Sequence, residues 1–418
     1  MSDEFDYERT DSERAEPVQV GAPRHRMSKL ERIRARRTHT RRRIVAAAAV
    51  AVLAAIVLAV ILLGTNIFHG GGGSDYAGDG KDDIVIQVHD GDSTTQIAQT
   101  LRDRGVVANV KSFVDAAKDN SAIAAIQPGF YKMRTEMSAS AAVQRLADPG
   151  TRVGKLVIPE GRQLDDVKAV GSDKTTDGIF TLIAEASCVE LNGQRKCAVT
   201  ADDVRKSAGQ ADPSALNVPD WAIKPVTALG NNHRRLEGLI APGAWNVDPS
   251  GSAQQILATL VAESADHYVT GGLLDTATAM NMSPYEILIV GSLVQREAKP
   301  NDFAKVARVI YNRLAAPQRL EFDSTVNYPL DRQEVATTDA DRAQVTPWNT
   351  YASDGLPATP ICSPGDEALA AAERPEPGDW LYFVTVDMDG TTLFTKDYPQ
   401  HLANIELARR NGVLDSAR

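Results

Sequence analysis

Residues 44–63 are a run of twenty built only from Ile, Val, Ala and Leu. A helix of that length and composition spans the hydrocarbon core of a bilayer, so the run divides the chain between two compartments. Just before it, residues 24–43 carry ten Lys/Arg and one Glu. Such a basic flank stays in the cytoplasm, which places everything after Phe68 on the exported side. A cleaved signal peptide has a shorter charged region and a small-residue cleavage site. Here about forty residues precede the apolar run, and Gly64-Thr-Asn-Ile-Phe-His69 offers no such site. The expectation is a cytoplasmic tail over 1–43, its acidic first part disordered, and an uncleaved single-pass anchor over 44–68.

Charge divides the same way. Residues 1–43 have 12 Lys/Arg and 8 Asp/Glu, net +4, against −10 for the chain, which leaves −14 for the exported part. That balance argues against nucleic-acid partners, and anionic lipid explains the basic stretch. All three cysteines lie on the exported side, where disulfides persist. Asn192-Gly193 is a two-residue hairpin turn signal, and a turn there sets Cys188 opposite Cys197 in the closer, non-hydrogen-bonded kind of pair. A local disulfide is expected, with two free thiols as the alternative. Cys362 reads as a small packed residue rather than a nucleophile. No Cys/His cluster has metal-ligand spacing, and neither a metal nor another cofactor is expected.

A Gly-rich tether over 69–82 leads to a small α+β module over 83–150. Strands are expected at 84–88 and 129–133, and helices at 95–104, 112–118 and 141–146. A second α+β segment over 151–235 begins as a weak repeat, with a strand at 154–159 and a helix at 164–170. It then becomes the least regular part of the chain. From 236 to 418 the pattern is mainly helical, with helices at 252–264, 284–298, 303–314 and 400–410 and a strand pair at 381–386 and 391–395.

The helix at 284–298 carries an anomaly. Ser283-Pro284-Tyr285-Glu286 is a helix start, with a Ser cap, Pro in first position and Glu three residues after the cap. An apolar run follows. Counting back three, four and seven residues from Glu297 gives Val294, Leu293 and Val290, so a carboxyl occupies a place on the apolar stripe. Burial and the negative end of the helix both raise a carboxyl pKa, and a protonated carboxyl is what acid catalysis on a glycosidic oxygen needs. A surface Glu in a fraying last turn is the other reading.

An ordered series of short motifs adds to this. It runs Leu236-Glu-Gly238-Leu-Ile-Ala-Pro242, Gly291-Ser-Leu-Val-Gln-Arg-Glu297-Ala, Val309-Ile-Tyr-Asn312-Arg313-Leu314, Leu320-Glu-Phe-Asp323-Ser-Thr-Val326, Trp348-Asn349-Thr350-Tyr351, Gly355-Leu-Pro357 and Leu381-Tyr-Phe383. In this order and spacing the chain resembles the endolytic murein transglycosylases, the YceG-like family, over most of 83–410. The resemblance implies an α+β chain: one N-terminal transmembrane helix, a LysM-like module, and a mainly helical lysozyme-like transglycosylase domain with a short β-hairpin. It implies peptidoglycan glycan strands as substrate and the membrane and peptidoglycan synthases as partners. It also implies lytic cleavage to a 1,6-anhydro end, with Glu297 as general acid and base. Many family members have a second acid two residues earlier, and Gln295 stands there in this chain. Thr346-Pro-Trp348 and the His-free Thr391-Thr392-Leu393-Phe394 also depart from the family pattern. Asn312, Arg313, Asp323, Asn349 and Tyr351 are candidate cleft residues, each with a structural role (such as an Arg313–Asp323 ion pair) as the competing reading. Glu237 is placed either between domains or in the cleft. A muramidase-type hydrolase using Asp323 and a non-catalytic glycan-binding scaffold are the rival functions.

Overall fold

The computed structural model describes residues 74–413, apart from 119, 169–173 and 331–336. The expected tail and anchor lie outside the described residues, and no helix among those described is long and apolar enough to cross a membrane. The chain mixes strands and helices in two hydrophobic cores.

The first core belongs to a module. Strand β1 (Asp83–Val88) leads to α1 (Thr94–Asp103), α2 (Val110–Ala117), β2 (Gly129–Arg134), α3 (Ala139–Ala147) and β3 (Arg152–Val153). The three strands form one antiparallel sheet in the order β1-β2-β3, with Ile86 opposite Tyr131. Each helix starts on a side-chain cap, Ser93 with Gln96 in a capping box, then Asn109, then Ser138. Ile86, Leu101, Phe113, Met133 and Leu146 fill the space between helices and sheet. The expected tether ends earlier than 82. The Ala139 amide donates to Asp75, the Ser138 amide to the Gly78 carbonyl and the Lys81 amide to the Thr135 carbonyl. Gly80, at φ 86°, permits this, because a Cβ there would meet Met137 Cγ at 2.6 Å.

The second core draws its buried residues from between Leu156 and Ala372. Strand β4 (Lys155–Ile158) pairs with the distant β9 (Gly243–Asn246), Leu156 opposite Trp245. Between them lie β5 (Val167–Lys168), β6 (Thr175–Thr176), α4 (Ile179–Ala186), the hairpin β7 (Cys188–Leu191) and β8 (Gln194–Cys197), α5 (Ala201–Gln210) and α6 (Asp220–Ala228). This corrects three expectations. Residues 164–168, the described part of the helix expected over 164–170, are not helical, because long-range partners take their backbone groups. The Gln163 and Leu164 carbonyls accept from Ile179 and Phe180, and the Leu164 amide donates to Glu237. With that helix gone, the segment does not repeat the module. Nor does it stand apart from the region after 236, since Leu164, Phe180 and Val204 share a core with Leu257, Leu293 and Ile310.

The helical body follows: α7 (Ala253–Thr270), α8 (Leu273–Met280), α9 (Pro284–Glu297), α10 (Phe303–Ala315), α11 (Asp323–Asn327), α12 (Asp339–Arg342) and α13 (Asp366–Glu373). Hairpin strands β10 (Tyr382–Thr385) and β11 (Thr392–Thr395) and helix α14 (Tyr398–Arg410) close the chain. Helix α9 is the axis of the body. Ser283 and Glu286 form its capping box, and every residue from Ile287 to Val294 is buried. A helix apolar on all sides can only be a core helix. Gly291 lets α13 come close, since a Cβ there would touch Leu369 Cα at 3.4 Å.

The β7–β8 hairpin joins the two cores. Asn192 and Gly193 turn at φ 50° and 74°, and Cys188 and Cys197 face each other and are disulfide-bonded. The hairpin tip meets the module through a reciprocal pair. The Asp83 amide donates to Asn192 Oδ1 (2.8 Å) and the Asn192 amide to Asp83 Oδ2 (2.9 Å), while Lys132 Nζ donates to the Glu190 carbonyl. Replacing both cysteines by serine should cost the hairpin about 2–3 kcal/mol of local stability. Hydrogen–deuterium exchange should then quicken along β7, β8 and at the Asp83 amide, with α9 unchanged. Unaltered exchange at Asp83 would show that the disulfide does not hold this contact.

Candidate active site

Helix α9 delivers Glu297 from the core to the floor of a cleft of ≈ 670 Å³. Phe322 and Asp323 line it at the start of α11, Arg342 at the end of α12, Tyr351 in the loop beyond, Tyr382 on β10 and His401 on α14. On its other side a smaller cavity of ≈ 160 Å³ runs between Lys299, Val306 and the β10–β11 hairpin, and Glu297 and Phe383 line both spaces. Glu297 is half-buried. Burial pushes its pKa up to about 7 and the nearby Asp323 charge adds to the rise, while Ser324 and Arg296 oppose it. A carboxyl so placed can hold a proton near neutral pH and give it up at modest cost, which suits a general acid that must later act as a base.

Asp323 is heavily engaged. Tyr351 Oη and Thr337 Oγ1 each donate to its Oδ1 at 2.7 Å, and Arg342 reaches both oxygens at 3.1 Å. Arg342 also lies over the Tyr351 ring at 4.9 Å. The expected Arg313–Asp323 pair is therefore replaced. Arg313 donates to the carbonyls of Leu381 (2.7 Å) and Leu320 and sits over the Tyr382 and Phe322 rings. Its planar fork matches two carbonyls held by separate loops, and Arg342 is left to neutralise Asp323.

Of the candidate cleft residues, Arg313, Asp323 and Tyr351 lie with Glu297, while Asn312 and Asn349 are absent from the cleft lining. Asn312 Nδ2 donates to the carbonyls of Gly378 and Trp380, fixing the approach to the β10 hairpin. Asn349 is buried; its amide donates to the carbonyls of Asp341, Arg342 and Gln344, and its Oδ1 accepts from the Tyr351 amide at 2.9 Å. It shapes the loop that aims Tyr351 and Arg342. Sequence reasoning missed Arg342, Tyr382 and His401 as cleft residues. The Tyr382 and His401 rings stack at 5.0 Å, and the Leu381-Tyr-Phe383 motif was the available signal for that wall. Gln295 faces away. Its side chain accepts from the Gly365 amide ahead of α13, as expected for a residue about 200° around the helix from Glu297.

Glu237 is a second buried acid, outside this cleft. Its Oε2 accepts from Tyr328 Oη (2.7 Å) and the Leu164 amide (3.2 Å), tying the 163–166 loop to the end of α11, and its Oε1 has no partner. Burial pushes its pKa up to about 8. Cys362 is buried with its Sγ directed to the Ser292 carbonyl, and burial pushes its thiol pKa up, so it packs rather than reacts. Among the described residues no group of three or more His, Cys, Asp or Glu could hold a metal ion.

The sequence matches the YceG-like family over residues 86–407, and the chain belongs to that family. It is 27% identical over 326 residues to an endolytic murein transglycosylase of Bacillus subtilis (strain 168), covering 77% of this chain and 84% of the relative. An endolytic murein transglycosylase of Streptococcus pneumoniae D39 is 24% identical over 335 residues, and the match spans 58% of its length. The crystal structure of a YceG-like protein from Listeria monocytogenes superposes with a TM-score of 0.50 at 27% identity, covering 77% of this chain and 98% of the other.

The raised Glu237 pKa makes a stability prediction. An acid whose pKa is about 8 folded and near 4.5 unfolded gives a favourable contribution that is complete below pH 4.5 and is lost as pH rises to about 8. Glu237→Gln keeps an acceptor for Tyr328 and Leu164 and does not ionise. Its unfolding free energy relative to wild type should therefore rise by several kcal/mol across that window in denaturant melts. A difference that stays flat with pH would mean that Glu237 ionises freely in the folded protein.

Proposed function

We propose that this chain is a membrane-anchored endolytic murein transglycosylase. It cleaves nascent peptidoglycan strands between N-acetylmuramic acid and N-acetylglucosamine and terminates their elongation. The observation that carries this reading is a half-buried carboxyl with a pKa near 7 that lines both a large cleft and a smaller adjoining cavity. Protonated Glu297 gives its proton to the bridging oxygen as the C1–O bond breaks. The resulting carboxylate takes the proton of the muramic C6 hydroxyl as O6 closes on C1, leaving a 1,6-anhydro end. This internal nucleophile removes the need for the second free carboxylate that ordinary glycosidases use. The B. subtilis and S. pneumoniae relatives support the same activity.

The basic flank and apolar run at 24–63 support a cytoplasmic N-terminus and an exported catalytic part, and the disulfide suits that oxidising side. The strand–helix–helix–strand module with its own core supports a LysM-like, glycan-holding role. In this reading the partners are glycan strands, the membrane and the synthases that supply the strands.

The test is mass spectrometry of products from the full chain in detergent, incubated with polymerised, uncrosslinked glycan. Wild type should release anhydro-muramic ends, and Glu297→Gln should do so roughly 10²–10⁴-fold more slowly. Reducing ends, one water heavier, would point to a hydrolase; bound but uncleaved glycan would point to a scaffold. Asp323→Asn separates the first two further. In the lytic reading it stays active, and because the Asp323 charge raises the Glu297 pKa, the high-pH limb of the rate profile moves down. A hydrolase using Asp323 would lose its activity.

A further inference from the structure

Ser324, the second residue of α11, stands beside Glu297. Its hydroxyl oxygen is buried and completes no hydrogen bond. A buried, unpaired hydroxyl is costly, and native structures keep few without a reason. Its neighbours are otherwise engaged: Thr325 Oγ1 donates to the Phe322 carbonyl, and the Tyr328 amide donates to the Ser324 carbonyl. No side chain caps the start of α11, and the amide and hydroxyl of Ser324 both lie close enough to the Glu297 carboxyl to favour its ionised form. That approach stops short of hydrogen-bond geometry, as is common before a substrate is bound.

Lytic cleavage asks Glu297 to be an acid first and a base second. We propose that Ser324 is the positioning residue that carries it between the two roles. Its hydroxyl, unpaired while Glu297 holds the proton, donates to the carboxylate once that proton has gone to the glycosidic oxygen. The bond holds the carboxylate in one orientation toward the C6 hydroxyl. It is released when the C6 proton arrives on Glu297 and O6 closes on C1. No proton leaves Ser324, and Glu297 returns to its starting state. The inference rests on the lytic reading, since a carboxyl with a single role would gain nothing from such a donor.

The other charges around Glu297 set its resting state. Asp323 favours the protonated form and Arg296 the ionised one, and Arg313 and Tyr351 feel its charge from α10 and the loop wall. Lys299 borders the smaller cavity, and Glu321, Arg342, Tyr382, Tyr398 and His401 border the cleft. All of them remain in a Ser324 variant, so a change there isolates the hydroxyl.

The test titrates Glu297 by carbon-13 NMR in the full chain, assigned with Glu297→Gln, in wild type, Ser324→Ala and Ser324→Thr. The pKa should rise in Ser324→Ala, which loses a donor to the carboxylate, and return in Ser324→Thr. On polymerised glycan, kcat of Ser324→Ala should fall about tenfold or more with KM unchanged, its high-pH limb moved up, and Ser324→Thr should recover most of the loss. An unshifted titration in Ser324→Ala overturns the proposal, and so does a raised KM with kcat intact. Absence of anhydro ends from wild type would instead sink the lytic reading, while the titration would still report whether Ser324 pairs with Glu297.

Discussion

Burial of α9 on every side fixes the rest of the structure. A helix with Ile, Leu and Val around its whole circumference has to run through the middle of the body, and its polar end can emerge only where the surrounding helices stop. Glu297 therefore reaches the cleft from a rigid core element, which holds a side chain more closely than a loop can. The opposite wall is tied to the same core. Arg313 rises from α10 and donates to the carbonyl that precedes β10, so the hairpin bearing Tyr382 and Phe383 is anchored to a helix packed against α9.

The local signals in the sequence and the contacts in the structure meet at some points and part at others. The start of α9 lies where Ser283, Pro284 and Glu286 put it, because a capping box is complete within four residues. The hairpin at Asn192-Gly193 is equally local. The box at Thr200 and Asp203 that begins α5 was just as legible and went unread amid the Gly, Pro and Asp around it. Other features had no local signal. That the chain around Leu164 does not coil into a helix depends on Ile179, Phe180 and Glu237 claiming its backbone. The partner of Asp323 is Arg342 rather than Arg313, a choice made by the packing of the short helix α12 against α11, which the helical period does not describe. His401 enters the cleft only because α14 packs on β10, more than a hundred residues after Glu297.

The module is bound to the body at separated points. Asp83 exchanges hydrogen bonds with Asn192, Arg152 donates to Asn246, and Gly154 passes the Val247 carbonyl so closely that a Cβ would lie 2.1 Å from it. Asp83 is also ringed by Lys132 and Arg134, and the Asn192 amide helps to hold its carboxyl below the usual range despite burial. At the hairpin tip, the bond from the Asn192 amide thus rests on an ionised side chain. Between the points of attachment lies a cavity of ≈ 620 Å³, faced by His89 and Phe130 from the module and by Gln255 and Glu263 from α7. In the proposed function, a strand held by the module would meet the catalytic body at an offset set by these contacts rather than by a free linker.

Asp323 shows why a second acid beside Glu297 need not make a two-carboxylate enzyme. A nucleophile or general base must present a free lone pair to the sugar. Here Tyr351 and Thr337 occupy one oxygen, and Arg342 covers both. Freeing that group would cost the hydrogen bonds of three side chains before any chemistry began. Held as it is, Asp323 still acts on Glu297 through space, and its negative charge favours the protonated acid. The same cluster places Tyr351 and Arg342 at the rim, where a sugar ring and its substituents can be stacked and hydrogen-bonded. Of the two, Glu297 is the carboxyl left free to exchange protons. Chemistry with a single such group closes most simply when the substrate brings its own nucleophile, as the C6 hydroxyl of muramic acid does.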